Sequence, residues 1–154
     1  MKKTAILVFL ITYLLFSLSG FLFPIDQSWY DALDKPSWTP SGGVIGIVWG
    51  ILFALISFSV AIVYNKDSFF RGDKFFWTIL IINYILNQAF SYFQFTQKDL
   101  FSATIDCALI AISTLLLIIA AMRHSKLAGL LLIPYLLWSA FATFLSYTIY
   151  SMNV

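Results

Sequence analysis

Residues 44–64 read VIGIVWGILFALISFSVAIVY, a run without a charged side chain. A surface helix of a soluble domain alternates apolar and polar faces with a period of 3.6. This run is apolar all round, and its length meets the ~20 residues a bilayer crossing requires. Working outward, four further segments satisfy the same test, at about 5–23, 75–95, 101–121 and 127–149. The sequence therefore predicts an all-α integral membrane protein, a five-helix bundle forming a single domain over 1–154. The loops are short, with one exception between the first two spans.

Composition supports that class and excludes others. Hydrophobic residues make up 61% of the 154 residues and charged residues only 10%, against roughly 25% charged in soluble domains; the mean hydropathy is +0.91. The lone Cys107 can form no intramolecular disulfide, and the lone His124, on a basic loop, reads as a surface residue and supports no multi-histidine metal site. The net charge of +2 comes from scattered side chains, so nucleic acid is not an expected partner. Lys2, Lys3 and the segment Ser17-Leu18-Ser19-Gly20 imitate a secretory signal, but the apolar run continues to Phe23, beyond the usual ~7–15-residue core of such signals.

Orientation follows from the basic residues. Lys2, Lys3, Lys66, Arg71, Lys74, Arg123 and Lys126 fall on one side of the five spans, and only Lys35 and Lys98 on the other. This predicts a multi-pass protein of the cell membrane with a cytoplasmic N-terminus and an external C-terminus.

The unusual side chains gather in the half of the bundle nearest the first loop. With 1.5 Å of rise per residue, Trp49, Asn87 and Asp106 lie roughly 8–12 Å below that face and Trp138 roughly 16 Å. Asn83, Asn87, Phe90 and Gln94 form one helical stripe, and Tyr135, Trp138, Ala142 and Ser146 another. Amides and carboxylates are costly in hydrocarbon, so both stripes should face inward. Small Ala142 and Ser146 beside Trp138 leave room there, which predicts a cavity with aromatic walls. The asparagines serve equally well as hydrogen-bonding groups between helices, and Asp106 reads either as a functional carboxylate or as one member of a structural pair. Trp77 and Tyr150 read as interfacial anchors. Gly42, Gly46 and Gly50 make a small-residue face on the second span, for close packing within the chain or for dimerisation.

The 20-residue connection 24–43 is long for a helix bundle and carries Trp29, Tyr30, Trp38 and four charged residues. Ser28 can cap a short helix there, and Pro36 and Pro40 stiffen the rest of the connection. It reads as a lid over the cavity or as an anchor in the headgroups.

Three motifs, in order, resemble those of the TspO/MBR family, the tryptophan-rich sensory proteins of bacteria and translocator proteins of mitochondria. They are Lys35-Pro36-Ser37-Trp38-Thr39-Pro40 with Trp49, Asn87-Gln88-Ala89-Phe90-Ser91, and Pro134-Tyr135-Leu136-Leu137-Trp138 with Phe141-Ala142. The resemblance implies a bundle, usually a homodimer, that binds tetrapyrroles such as protoporphyrin IX, and in some members sterols and isoquinoline-type drug ligands (the peripheral benzodiazepine receptor class). It also implies light-dependent degradation of the porphyrin, with Trp49 and Trp138 as participants. Candidate ligand contacts are Trp38, Phe53, Asn83, Asn87, Phe90, Asp106, Tyr135, Ala142 and Ser146. Ser41 replaces a motif proline, Phe90 a tryptophan and Ser146 a common asparagine, and the sterol motif lacks its basic residue, so cholesterol is not expected.

A flat apolar macrocycle suits a slot between aromatic walls. With no histidine or cysteine placed on that side by the sequence reading, metal-free porphyrin is expected rather than axially ligated haem, and no metal site is expected. The alternative function is a non-catalytic porphyrin-binding sensor or carrier. A transporter is disfavoured, because no inverted repeat is visible.

Overall fold

The computed structural model describes residues 2–66 and 73–154; Arg71, counted above for orientation, lies outside the described residues. All regular structure among the described residues is helical: α1 Lys3–Ser17, α2 Ser19–Leu22, α3 Gln27–Ala32, α4 Gly42–Lys66, α5 Lys74–Ser91, a π-helical turn Tyr92–Thr96, α6 Leu100–Met122, α7 Lys126–Leu131 and α8 Ile133–Met152. Four stretches among the described residues are long and apolar enough to cross a membrane: Lys3–Leu22, Gly42–Lys66, Leu100–Met122 and Lys126–Met152. The protein is thus an all-α, multi-span membrane bundle. The expected third span forms α5, but its 18 residues include Asn83, Asn87 and Gln88, and these amides keep it outside that apolar set.

Local chemistry sets the element ends. Asp73 caps α5, Asp99 caps α6 and Ser125 caps α7, each side chain accepting a hydrogen bond from a backbone N–H three residues on. The last expected span is broken at Leu132, because Pro134 lies in the first turn of α8 and has no N–H to continue the helix. Helix α5 opens into a π turn, where Gln97 N donates to Tyr92 O at 2.9 Å, instead of running on as α-helix.

The bundle is closed at one end and open at the other. Near the Asp73 and His124 end, Val60, Val63, Phe76, Trp77, Leu117, Ala121, Ala128 and Leu132 are buried in one core. Small residues admit close helix contact here: Ser59 Oγ donates to Ala128 O at 2.8 Å. Trp77, 1% exposed and edge-on to Phe76 at 5.0 Å, is a core residue and not the interfacial anchor the sequence suggested. His124 is not a free surface residue either; its Nε2 lies 2.7 Å from Asp73 Oδ2, with both side chains largely buried. Burial alone would raise Asp73, but the hydrogen bonds from His124 and Phe76 N outweigh it and hold the carboxyl below its ordinary value.

Candidate ligand-binding site

Toward the other end the helices part around a cavity of about 840 Å³. Its deep walls are aromatic: Trp49 and Phe53 from α4, Phe90 from α5, and Trp138 and Phe141 from α8. Trp49 sits 5.6 Å from Phe53, and Trp138 5.3 Å from Phe141, ring centre to ring centre. Ala142 and Ser146, one and two turns above Trp138, also line it; their short side chains keep the space clear.

Beneath this space lies a hydrogen-bonded floor. Tyr135 Oη donates to Asn83 Oδ1 at 2.9 Å and accepts from Asn87 Nδ2 at 3.1 Å. Asn83 Nδ2 donates to Ser113 Oγ at 2.8 Å and to Thr114 Oγ1 at 3.1 Å. Gln88 Nε2 reaches Phe16 O at 3.0 Å. The network ties α1, α5, α6 and α8 together and satisfies the Asn83 and Asn87 amides, which would otherwise be costly in hydrocarbon; Gln88 is satisfied on its Nε2 side alone.

The structure sorts the predicted site residues. Trp49, Phe53, Asn87, Phe90, Trp138, Ala142 and Ser146 are brought together on the cavity wall. Asn83 and Tyr135 are not on it; both are fully buried and consumed by the floor network. Asp106 is also off the wall, 4% exposed, with Oδ2 lacking a hydrogen-bond partner. Its neighbour Cys107 takes the wall position instead, its thiol 3.9 Å from Ser139 O. That corrects the expectation that no cysteine faces this side. Trp38 stands outside the cavity, stacked on Phe144 at 5.3 Å and 12°, where it fastens the loop to α8.

The glycine face of α4 also differs from its expected packing role. A methyl group built on Gly42 or Gly46 would meet nothing within 4 Å, and one on Gly50 only Tyr13 Oη at 3.8 Å. These positions border the cavity. Sequence reasoning missed Tyr13, Ser17 and Gly20, which also line it; their i, i+4, i+7 spacing in an aliphatic span was the available signal.

The first loop covers the mouth. Asp26, not Ser28, caps α3: its Oδ1 accepts from Trp29 N at 3.2 Å and from Ser28 Oγ at 2.9 Å. Its Oδ2 pairs with Lys98 Nζ at 2.9 Å, and that bond, first among several, lowers the carboxyl to about 2. The far end of the loop is tied by Asn153, whose Oδ1 accepts from Asp34 N at 3.0 Å and whose Nδ2 donates to Asp34 O at 2.8 Å. From this lid Tyr30, Asp31, Lys35 and Pro36 reach the cavity. Burial, reinforced by the Asp31 charge, raises the Tyr30 phenol above its ordinary value.

Comparison with known proteins matches the TspO/MBR family over residues 5–152. The chain is 63% identical to the membrane protein YtaB of Bacillus subtilis over 156 residues, covering all of both chains. It is 61% identical to the tryptophan-rich protein TspO of Bacillus cereus, covering 99% of each. The human translocator protein is 32% identical over 126 residues, 81% of this chain and 75% of the human one.

Proposed function

The chain belongs to the TspO/MBR family, and from that premise we propose that it binds a flat tetrapyrrole, protoporphyrin IX, in the cavity under the lid, and promotes its degradation in light and oxygen. The observation that carries this reading is the cavity itself. Its volume lies in the upper part of the range for small-molecule sites, and its walls offer indole and phenyl faces for stacking. Trp138 lies on the same wall as Phe141 and Ala142, where its indole adds stacking surface. The same walls suit isoquinoline-type drug ligands and other flat apolar molecules. Cys107 Sγ is turned to Ser139 O, which favours metal-free porphyrin over thiolate-ligated haem.

The protein's part is position. Trp49 and Trp138 hold the excited ring against oxidisable indoles, and oxygen is the oxidant; the photochemistry belongs to the porphyrin. In the bilayer, α5 also crosses, third in chain order and bringing the crossings to five, with Asn83 and Asn87 held in the floor network, and the basic ends of α4, α5 and α7 lie in the cytoplasm, leaving the lid outside. The protein works as a homodimer.

Porphyrin titration of the detergent-solubilised protein, read by tryptophan quenching in the dark and by absorbance under light, tests the reading. Saturable quenching and then a protein-dependent photoproduct are expected, with the photoproduct lost in Trp49→Phe/Trp138→Phe. Absence of saturable quenching overturns the binding site. Quenching without photoproduct overturns catalysis and leaves a sensor or carrier.

A further inference from the structure

Among the described residues the cavity wall carries two charged ones, Asp31 and Lys35, and both sit on the lid. Everything deeper is neutral, and the wall is therefore strongly graded, ionic at the mouth and aromatic at the base. We propose that Lys35 is a receptor for a carboxylate on the ligand, so that a ring acid enters with its ionised edge under the lid and its apolar edge against Trp49 and Trp138. The proposal deepens the porphyrin reading, resting on it for the ring and on separate observations for the acid.

The first of these is the way the ammonium is held. Lys35 Nζ donates to Tyr30 O at 2.7 Å and to Leu33 O at 3.1 Å, and lies 4.7 Å from the centre of the Tyr30 ring. An ammonium has three donors, and two neutral carbonyls take two of them. Its position is thus fixed by neutral groups that leave its charge intact. The second is the absence of an acidic partner among the described residues. Lys98, the other cation on this side, is paired with Asp26, whereas Lys35 is in no salt bridge. Asp31, on the same lid, places its Oδ1 on Gln27 Nε2 at 2.8 Å and forms no ion pair with Lys35 among the described residues.

The third is what lies at the other end. Carboxylates directed toward Trp49, Phe53 and Phe90 would be stripped of water with no cation to meet them, a heavy penalty. A macrocycle carrying acids at one edge satisfies both ends of the gradient, and one carrying acids around its whole rim does not. Charge-assisted hydrogen bonds to a positioned cation are stronger than neutral ones, so the contact decides orientation as well as affinity. Asp31, in the same mouth, opposes the anion, and its removal should strengthen binding of the acid.

The test compares an acid with its ester in wild type, Lys35→Met, Lys35→Arg and Asp31→Asn, in neutral detergent. Two probe pairs are used: protoporphyrin IX with its dimethyl ester, and 1-pyrenebutyric acid with its methyl ester. Wild type should prefer each acid, Lys35→Met should weaken acid binding about ten-fold and leave ester binding unchanged, Lys35→Arg should keep the preference, and Asp31→Asn should enlarge it. Because the ester reports lid and cavity integrity in the same variant, a merely unlatched loop would weaken both members of a pair. An acid-to-ester ratio that Lys35→Met does not alter overturns the proposal, as does an equal loss of both. If neither porphyrin binds while the pyrene acid shows the Lys35-dependent preference, the carboxylate receptor stands and the porphyrin reading falls.

Discussion

The two ends of this bundle put the same helices to opposite uses. At the Asp73 end, Ala120, Ala121 and Ala128 are fully buried, and the space over Gly129 is filled by the Met122 side chain, whose Sδ would lie 2.6 Å from a methyl group added there. At the lid end, Gly42 and Gly46 face open space, and short Ala142 and Ser146 border the cavity. Small residues thus close one half and open the other. Their effect depends on what stands opposite: a neighbouring helix packed against them closes the gap, while the large rings of Trp49, Phe90 and Trp138 hold the walls apart. The floor network of Asn83, Asn87 and Tyr135 is the boundary between the two regimes.

The sharpest way to break this comparison is a matched pair of enlargements. Ala128→Leu should cost about 3 kcal/mol through overpacking, seen as a large fall in detergent melting temperature. Gly46→Leu should leave stability unchanged or slightly raised, since the position is open and leucine is the better helix former, while porphyrin affinity falls at least about ten-fold. Equal destabilisation by both would erase the distinction between the halves. Next in size is the boundary itself. Asn83→Ala strands the buried Tyr135 O–H, while Ser113 and Thr114 keep their bonds to Ile110 O, at about 2 kcal/mol, measured in the same melts; Tyr135→Phe, which keeps the ring, should cost about half as much.

At the closed end a third and smaller effect is pH-dependent. Asp73 is held below its ordinary carboxylate value in the fold. Its contribution is therefore complete above the unfolded value of ~3.9 and is lost as pH falls through the lower folded value. Asp73→Asn should remove that acid sensitivity and cost about 1 kcal/mol at neutral pH as a weakened cap and pair. A melting curve whose acid limb is identical in wild type and variant would assign the sensitivity elsewhere.

The helices were legible because hydropathy reports burial in lipid directly: the expected 44–64, 101–121 and 127–149 became Gly42–Lys66, Leu100–Met122 and Lys126–Met152. The site was legible in part, for a reason visible in two places. A periodic stripe tells which face turns inward but not at what depth a cavity ends, so Asn87 and Phe90 were found on the wall while Asn83, one turn deeper, was already in the floor. One residue of helix turns the side chain by about 100°, and Asp106 and Cys107 exchange roles on that account. Trp38, Lys35 and Asp26 act through loop geometry, which carries no periodicity to read.

The smallest effect concerns the lid latch at Lys98. This residue has φ of 55°, a left-handed conformation that costs a side-chain-bearing residue roughly 1–2 kcal/mol, between the π turn and the Asp99 cap of α6. It nevertheless carries the cation that pairs with Asp26 at 2.9 Å and lies 5.5 Å from the Trp29 ring centre. The pair is exposed and screened by salt, so its role is to hold the lid, with little bearing on global stability. Lys98→Met and Lys98→Gly both delete it and should speed ligand release by a similar few-fold factor, most clearly at low ionic strength. Only Lys98→Gly relieves the backbone, and it should melt higher than Lys98→Met by about 1 kcal/mol. Because Asp26 stays ionised down to about 2, the wild-type latch should survive mild acid and fail only as pH approaches that value. Ligand release that accelerates already between pH 6 and 4 would show that another group holds the lid.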